Sequence, residues 1–263
     1  MNKKTILITN DDGYDSAGLK ALIDGLRDMA NLFIVAPSSE KSASSHSLTL
    51  SRPLRFIGVD DDFYKLDDGT PADCIYMALN SYFRDDFKPD LVISGINRGS
   101  NMGEDITYSG TVGGAMEGVL QGIPSISISQ VCQDKCQNIT EHGYELGVAI
   151  LKEIVSKIFA GDFPLEERKL LNINIPPVSK KDYKGLKVTK AGYRVYGNDA
   201  HRHVNPRGEE YYWLGTHPLF WKKRGDDGIM CDLEAIEDGY ASMTPIMLDL
   251  TSYCDIDRLE KWI

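Results

Sequence analysis

The chain predicts an α/β fold: a mostly parallel sheet flanked by helices, with a β-rich excursion and a C-terminal tail. Three observations carry this. The segments TILIT, LFIVAP and DLVISG are short, nearly continuous apolar runs, as expected of strands buried on both faces. Between them lie stretches with apolar residues at helical spacing, so successive strands are joined by right-handed parallel crossovers. From about Gly185 to Met230 the alternation stops, and aromatics, scattered charge and turn residues take over.

The first strand, Ile6 to Ile8, stops at Asn10-Asp11-Asp12-Gly13, four residues suited to turns and ligation. Ser16 caps a helix in which Leu19, Leu22, Ile23, Leu26 and Met29 face the sheet, and Leu32 to Pro37 is the second strand. Its exit loop, SSEKSASSHS, is rich in hydroxyls; Leu48 to Val59 reads as extended, a small antiparallel addition. Thr70-Pro71-Ala72-Asp73 starts a helix running to Tyr82, with a capping hydroxyl and Pro at the first helical position. Asp90 to Gly95 is the third strand, and the loop INRGSNMGEDITYSGT follows it. Ser109-Gly110-Thr111 then opens the helical stretch VGGAMEGVLQG, with Gly113 and Gly114 suited to close packing on the sheet and Gly122 to a helix stop. Ile123 to Ser129 is a fourth strand, Glu141 to Phe159 a helix, and LLNINIPP a fifth strand with strict alternation. After the excursion come a short helix capped by Asp232, a stop at Gly239, a last strand and a terminal helix. The organisation is a single domain over 1–263: core about 1–184 and 232–250, β-rich arm about 185–231, C-terminal helix about 251–263.

Composition narrows the function. With 263 residues, 42% of them hydrophobic, the chain can bury a substantial core. A formal net charge of −10 argues against binding a nucleic-acid polymer, which needs clustered Lys and Arg. No stretch approaches membrane-spanning length, and the apolar run in MNKKTILITN is too short for a signal-peptide core. Five irregularly spaced cysteines, Cys74, Cys132, Cys136, Cys231 and Cys254, suggest reduced thiols in a cytoplasmic protein.

In open α/β sheets ligands collect beyond the carboxyl ends of the strands, where Asp11 and Asp12 sit. Two ionised carboxylates about 4 Å apart repel by roughly 4 kcal/mol at an effective dielectric near 20, so a shared buried position calls for a cation or a proton. Acidic doublets recur at Asp67-Asp68, Asp85-Asp86 and Asp226-Asp227, which read as solvated loops; what distinguishes Asp11-Asp12 is its place after the first strand. Carboxylates, hydroxyls and side-chain amides on three loops suit a hard divalent cation, Mg²⁺ or Mn²⁺. The Ser109-Gly110-Thr111 turn offers free amides to a phosphate. His201 and His203 lack a third partner for zinc, and no Gly-x-Ser-x-Gly elbow supports a nucleophilic serine. His46 reads equally as a structural imidazole or a proton-transfer group, and Arg98 as an electrostatic aid or a surface ion pair. A haloacid-dehalogenase-type phosphatase is excluded by Gly13, which stands where that chemistry needs a second Asp.

The segments ILITNDDGYDSAGL, APSSEKSASSHSLT, GTPADC, VISGINRGSNMGEDITYSGTVGGAMEG, LLNINIP and EDGYASMTPIMLDLT, in this order, resemble the SurE family of survival-protein 5'/3'-nucleotidases over nearly the whole chain. The resemblance implies a Rossmann-like core with an oligomerisation hairpin and exchanged C-terminal elements, forming a homodimer or homotetramer. It implies hydrolysis of nucleoside 5'- and 3'-monophosphates with one divalent metal cation per subunit. It further implies that Asp11, Asp12, Ser42 and Asn97 ligate the metal, and that Asn101, Ser109, Gly110 and Thr111 hold the phosphate. Asp11 and Asp12 are then also the catalytic pair. Lys41 departs from the family pattern, which has Arg before the ligand serine. A non-catalytic nucleotide-binding stress sensor is the alternative function.

Overall fold

The computed structural model describes residues 3–82, 88–132, 143–161, 163–197, 200–214, 220–223 and 227–263. Its strands in chain order are β1 (Thr5–Thr9), β2 (Asn31–Pro37), β3 (Phe56–Asp60), β4 (Phe63–Leu66), β5 (Leu91–Arg98), β6 (Ser125–Gln130), β7 (Lys169–Ile175), β8 (Leu186–Val188), β9 (Tyr193–Val195), β10 (Ala200–Val204), β11 (Glu210–Leu214), β12 (Phe220–Lys222) and β13 (Ala241–Met247). The helices are α1 (Ala17–Leu26), α2 (Pro71–Met77), α3 (Gly110–Leu120), α4 (Glu145–Ala160), α5 (Asp232–Glu237) and α6 (Ile256–Glu260).

Among the described residues a nine-stranded sheet runs in the order β3-β4-β2-β1-β5-β6-β7-β13-β8. The strands from β4 to β7 are parallel, while β3 and β13 each run antiparallel to a neighbour. Alternating side chains of β1 feed two cores. Ile6 and Ile8 join Leu19 and Leu22 of α1 and Leu151 and Val155 of α4 on one face; Leu7 packs with Cys74 and Ile75 of α2 on the other. Helices on both faces make the sheet doubly wound. From β1 the chain first builds outward through β2 and then returns to place β5 on β1's other side, so the strand order reverses between β1 and β5. That reversal opens a crevice at the strands' carboxyl ends.

Several elements differ from the sequence reading. Within Leu48 to Val59 only the end is a strand: β3 pairs antiparallel with β4, whereas Leu50 is 89% exposed. The helix expected to reach Tyr82 stays α-helical to Met77 and widens into a π turn over Ala78–Tyr82. There the Asn80 amide donates to Tyr76 O at 2.9 Å and the Ser81 hydroxyl to Met77 O, both competing with the backbone ladder. α4 begins at Glu145, and the expected start at residues 141–142 lies outside the described residues, as do Cys136 and Asp85-Asp86. The cap of α5 is Cys231, whose Sγ accepts from Glu234 N at 3.5 Å; Asp232 is the first helical residue and is buried. At the C-terminus a 3₁₀ turn (Tyr253–Asp255) and the five-residue α6 replace one longer helix, and neither buries a residue that would stabilise more turns.

The excursion is β-rich as expected. β10 pairs antiparallel with β11, and β12 with β9. β8 joins the central sheet beside β13. Cys74, Cys132, Cys231 and Cys254 are free thiols, and among the described residues no helix is long and apolar enough to cross a membrane.

Candidate active site

Chemistry starts where β1 ends. Asn10 donates to Gly13 O at 2.9 Å and to Ser16 Oγ at 2.8 Å, and that same oxygen caps α1 by accepting from Leu19 N. The turn is thereby locked to the helix behind it, presenting Asp11 and Asp12 over the crevice.

Asp11 is 4% exposed and faces the start of α3. Its Oδ2 accepts from Thr111 N at 3.1 Å and its Oδ1 accepts a short hydrogen bond from the Thr111 hydroxyl. Burial, the largest influence, pushes its carboxyl up to about 6; the charge of Asp12 adds to this, and the two bonds from Thr111 oppose it. Asp12 is half-buried and accepts from Arg98 N at 2.8 Å. Burial and then the Glu40 charge raise its carboxyl, against the Arg98 amide and guanidinium. The other acidic doublets behave as solvated charge: Asp67 and Asp68 are exposed and face Arg55, Arg52 and Lys41, and Asp227 pairs with Lys190. Asp226 lies outside the described residues.

Three further loops converge on this pair. At the end of β5, Asn97 donates to Gly99 O at 3.0 Å, leaving its amide oxygen without a hydrogen bond among the described residues. From the loop after β2, Lys41 N donates to Asp11 O at 2.7 Å, which carries Ser42 to the rim; its hydroxyl donates to Glu40 at 2.7 Å. Ser44 Oγ and Asn10 Oδ1 are shielded from solvent and have no hydrogen-bond partner among the described residues. At α3, a Cβ on Gly110 would stand 2.5 Å from Ser44 Oγ and 3.0 Å from Asp11 Cβ, so only glycine lets the helix start this close to the carboxylate.

The expected phosphate residues divide by role. Ser109 caps α3, accepting from Val112 N at 3.0 Å. Thr111 is fully buried, and both its hydroxyl and its amide are committed to Asp11. Gly110 N, by contrast, carries no hydrogen bond among the described residues. Asn101 is 7% exposed and donates to Ser129 Oγ at 2.8 Å. Its backbone is clamped from β7: Asn174 Oδ1 accepts from Asn101 N at 2.9 Å, and the amides of Asn172 and Asn174 donate to Asn101 O at 2.8 and 3.0 Å. Sequence reading took LLNINIPP for a strand and missed this clamp; buried asparagines at alternate positions of an apolar strand were the available signal. His46 lies against α3, its Nε2 2.8 Å from Glu117 Oε2.

The donors available here, two carboxylates, a side-chain amide oxygen and hydroxyls, are all oxygen, as a hard cation requires. The Ser44 hydroxyl, shielded beside Gly110 and without a hydrogen-bond partner among the described residues, and two acids raised by burial fit a site completed by positive charge. Among the described residues no cluster of three His, Cys, Asp or Glu offers an alternative metal site.

The family model described as "Survival protein SurE" matches residues 6–198. The chain is 58% identical over 262 residues to the 5'-nucleotidase SurE of Aliarcobacter butzleri, covering 99% of each. It is 59% identical over 260 residues to the 5'-nucleotidase SurE of Wolinella succinogenes, again over 99% of each. The crystal structure of a SurE protein from Aquifex aeolicus superposes with a TM-score of 0.80 at 39% identity, covering 98% of this chain and 99% of that one.

Proposed function

The chain belongs to the SurE family, and from that premise we infer that it is a 5'-nucleotidase, a phosphomonoesterase that splits nucleoside monophosphates into nucleoside and phosphate. The observation that carries the chemistry is the Asp11-Asp12 pair, set at the strand-order reversal against the start of α3. Asp11, Asp12, Ser42 and Asn97 would hold one divalent cation, Mg²⁺ or Mn²⁺, which supplies Lewis acidity toward a phosphoryl oxygen and toward water.

The chain's own groups do the rest. Thr111 keeps Asp11 oriented by two hydrogen bonds, and the Arg98 amide does the same for Asp12. The free Gly110 amide, at the positive end of α3, donates to a phosphoryl oxygen as charge develops there. Ser109 and Thr111 serve the phosphate through the helix start they shape, and Asn101 through the second hydrogen of its side-chain amide. Asp12, less buried than Asp11 and oriented by the Arg98 amide, takes the proton of the attacking water. Activity extends to 3'-monophosphates, and the protein works in the cytoplasm.

Assembly follows from the arm. Tyr212, Trp213 and Leu214 of β11 are exposed by 61, 65 and 85%, a contiguous apolar stretch on a projecting hairpin of the kind that marks association. The protein is a homodimer or homotetramer.

The deciding experiment is phosphate release from a panel of 5'- and 3'-nucleoside monophosphates with Mg²⁺, Mn²⁺ or no metal. Metal-dependent turnover is expected. Tight nucleotide binding without release would make the protein a sensor.

A further inference from the structure

The loop between β2 and β3 holds a conformation that its own residues disfavour. Ala43 and Ser45, neither of them glycine, have φ of 55° and 56° and flank Ser44. Side chains in this region cost energy and persist only where the surroundings over-determine them. The turn they shape carries Ser42 at the rim and is tethered on its near side by Lys41 N to Asp11 O.

The far side is held by α3. A Cβ on Gly113 would lie 2.4 Å from Ser45 O and 3.1 Å from His46 Cα, so the loop backbone rests directly on the helix, while Gly114, one residue on, faces Thr9 and Ser94 of the sheet. Ser45 N donates to Tyr108 O at 2.9 Å and its hydroxyl to Thr107 O at 2.7 Å. Four residues beyond Gly113, Glu117 is 3% exposed and receives the Gln121 amide on Oε1 at 2.8 Å, with His46 Nε2 2.8 Å from Oε2. On its own, burial would raise the Glu117 carboxyl; bonds from His46 and Gln121 outweigh it and leave the group below its ordinary range. A buried carboxylate in mid-helix is costly unless paired, so loop and helix are bound to each other's geometry.

We propose that His46 and Glu117 are positioning residues: a latch between the serine loop and α3 that holds the Ala43–Ser45 turn in its disfavoured conformation and thereby sets the Ser42 hydroxyl at the site. The latch acts through Ser42 and touches neither substrate nor reacting atoms, which accounts for His46 without giving it proton transfer. This inference rests on the reading of Ser42 as a metal ligand.

The test compares His46→Ala and His46→Gln with the parent, and Ser42→Ala as reference. Hydrogen exchange of residues 41–48 in the metal-free protein reads the latch directly; calorimetric Mn²⁺ affinity reads what it positions. In His46→Ala, exchange should rise in this segment alone, and Mn²⁺ affinity should fall about tenfold, the scale of losing a group that orients a ligand. Turnover at saturating Mn²⁺ should stay within about twofold. His46→Gln, which keeps an N–H donor, should restore both readings. Unchanged exchange in His46→Ala overturns the latch. Unchanged Mn²⁺ affinity in that variant, with affinity lost in Ser42→Ala, overturns its positioning role. Unchanged affinity in Ser42→Ala is a failure of the ligand assignment instead, and exchange alone then decides the latch.

Discussion

Asp11 makes the metal-free protein's stability depend on pH in the direction opposite to most carboxylates. Its folded-state carboxyl titrates at about 6, against an ordinary value of 3.8, because it is buried. Between those values the folded chain keeps a proton that the unfolded chain has released, so stability falls as pH rises. The contribution is fully present below 3.8, declines through the window and is gone once pH passes about 6. A gap of roughly two units at 1.36 kcal/mol each amounts to about 3 kcal/mol. Acids whose folded-state carboxyls are lowered, such as Glu117 and Asp90, slope the other way, so the total alone is uninformative. The assay is therefore a difference: urea unfolding of metal-depleted parent and Asp11→Asn at one fixed protein concentration across about pH 4 to 8. Relative to the variant, the parent should lose on the order of 3 kcal/mol across this range, and saturating Mn²⁺ should recover stability in the parent only. A pH-independent difference, or a parent that gains on the variant as pH rises, would refute the account of Asp11 as an acid whose burial lets it keep its proton up to about pH 6 in the metal-free protein.

Three further outcomes follow from the same geometry. Asp12→Asn should lower turnover about 100-fold or more, while the metal-free melting temperature holds or rises. An Asn oxygen can still accept from Arg98 N, and the repulsion from Asp11 and Glu40 is gone; near-normal Mn²⁺-dependent turnover would sink the ligand assignment. Thr111→Val removes the hydroxyl that opposes the rise of the Asp11 carboxyl, so the pH at which Mn²⁺ binding is half-maximal should move upward in calorimetric titrations. An unmoved midpoint would show that Thr111 serves the anion rather than Asp11. Deleting the β10–β11 hairpin should lower the sedimenting mass at micromolar concentration, and unchanged assembly would place the interface elsewhere.

Much of this molecule was legible because its signals are local. The apolar run of β1, the Ser16 and Thr70 caps and the glycine stop of α3 depend on neighbours within one or two turns, and the structure keeps each. Misreadings fell where a local preference met a distant partner. Asp232 looks like a helix cap, yet its carboxylate accepts from the amides of Gly103 and Gly192, remote in sequence, and a cysteine takes the cap. The π turn after α2 is a local exception: there Asn80 and Ser81 bond backwards to the carbonyls of Tyr76 and Met77, four residues earlier.

Sequence by itself determined that two adjacent acids end the first buried strand and that a glycine-rich helix start follows a later one, because both depend on chain order. Only the tertiary structure decided what these face. α3 begins close enough to Asp11 for Thr111 to spend both its donors there, an approach that exists only because Gly110 has no side chain and because β5 folds back beside β1. His46 binds Glu117, 71 residues away, for the same reason: hydrogen bonds and burial act through space, and sequence separation does not record which loops share an edge of the sheet.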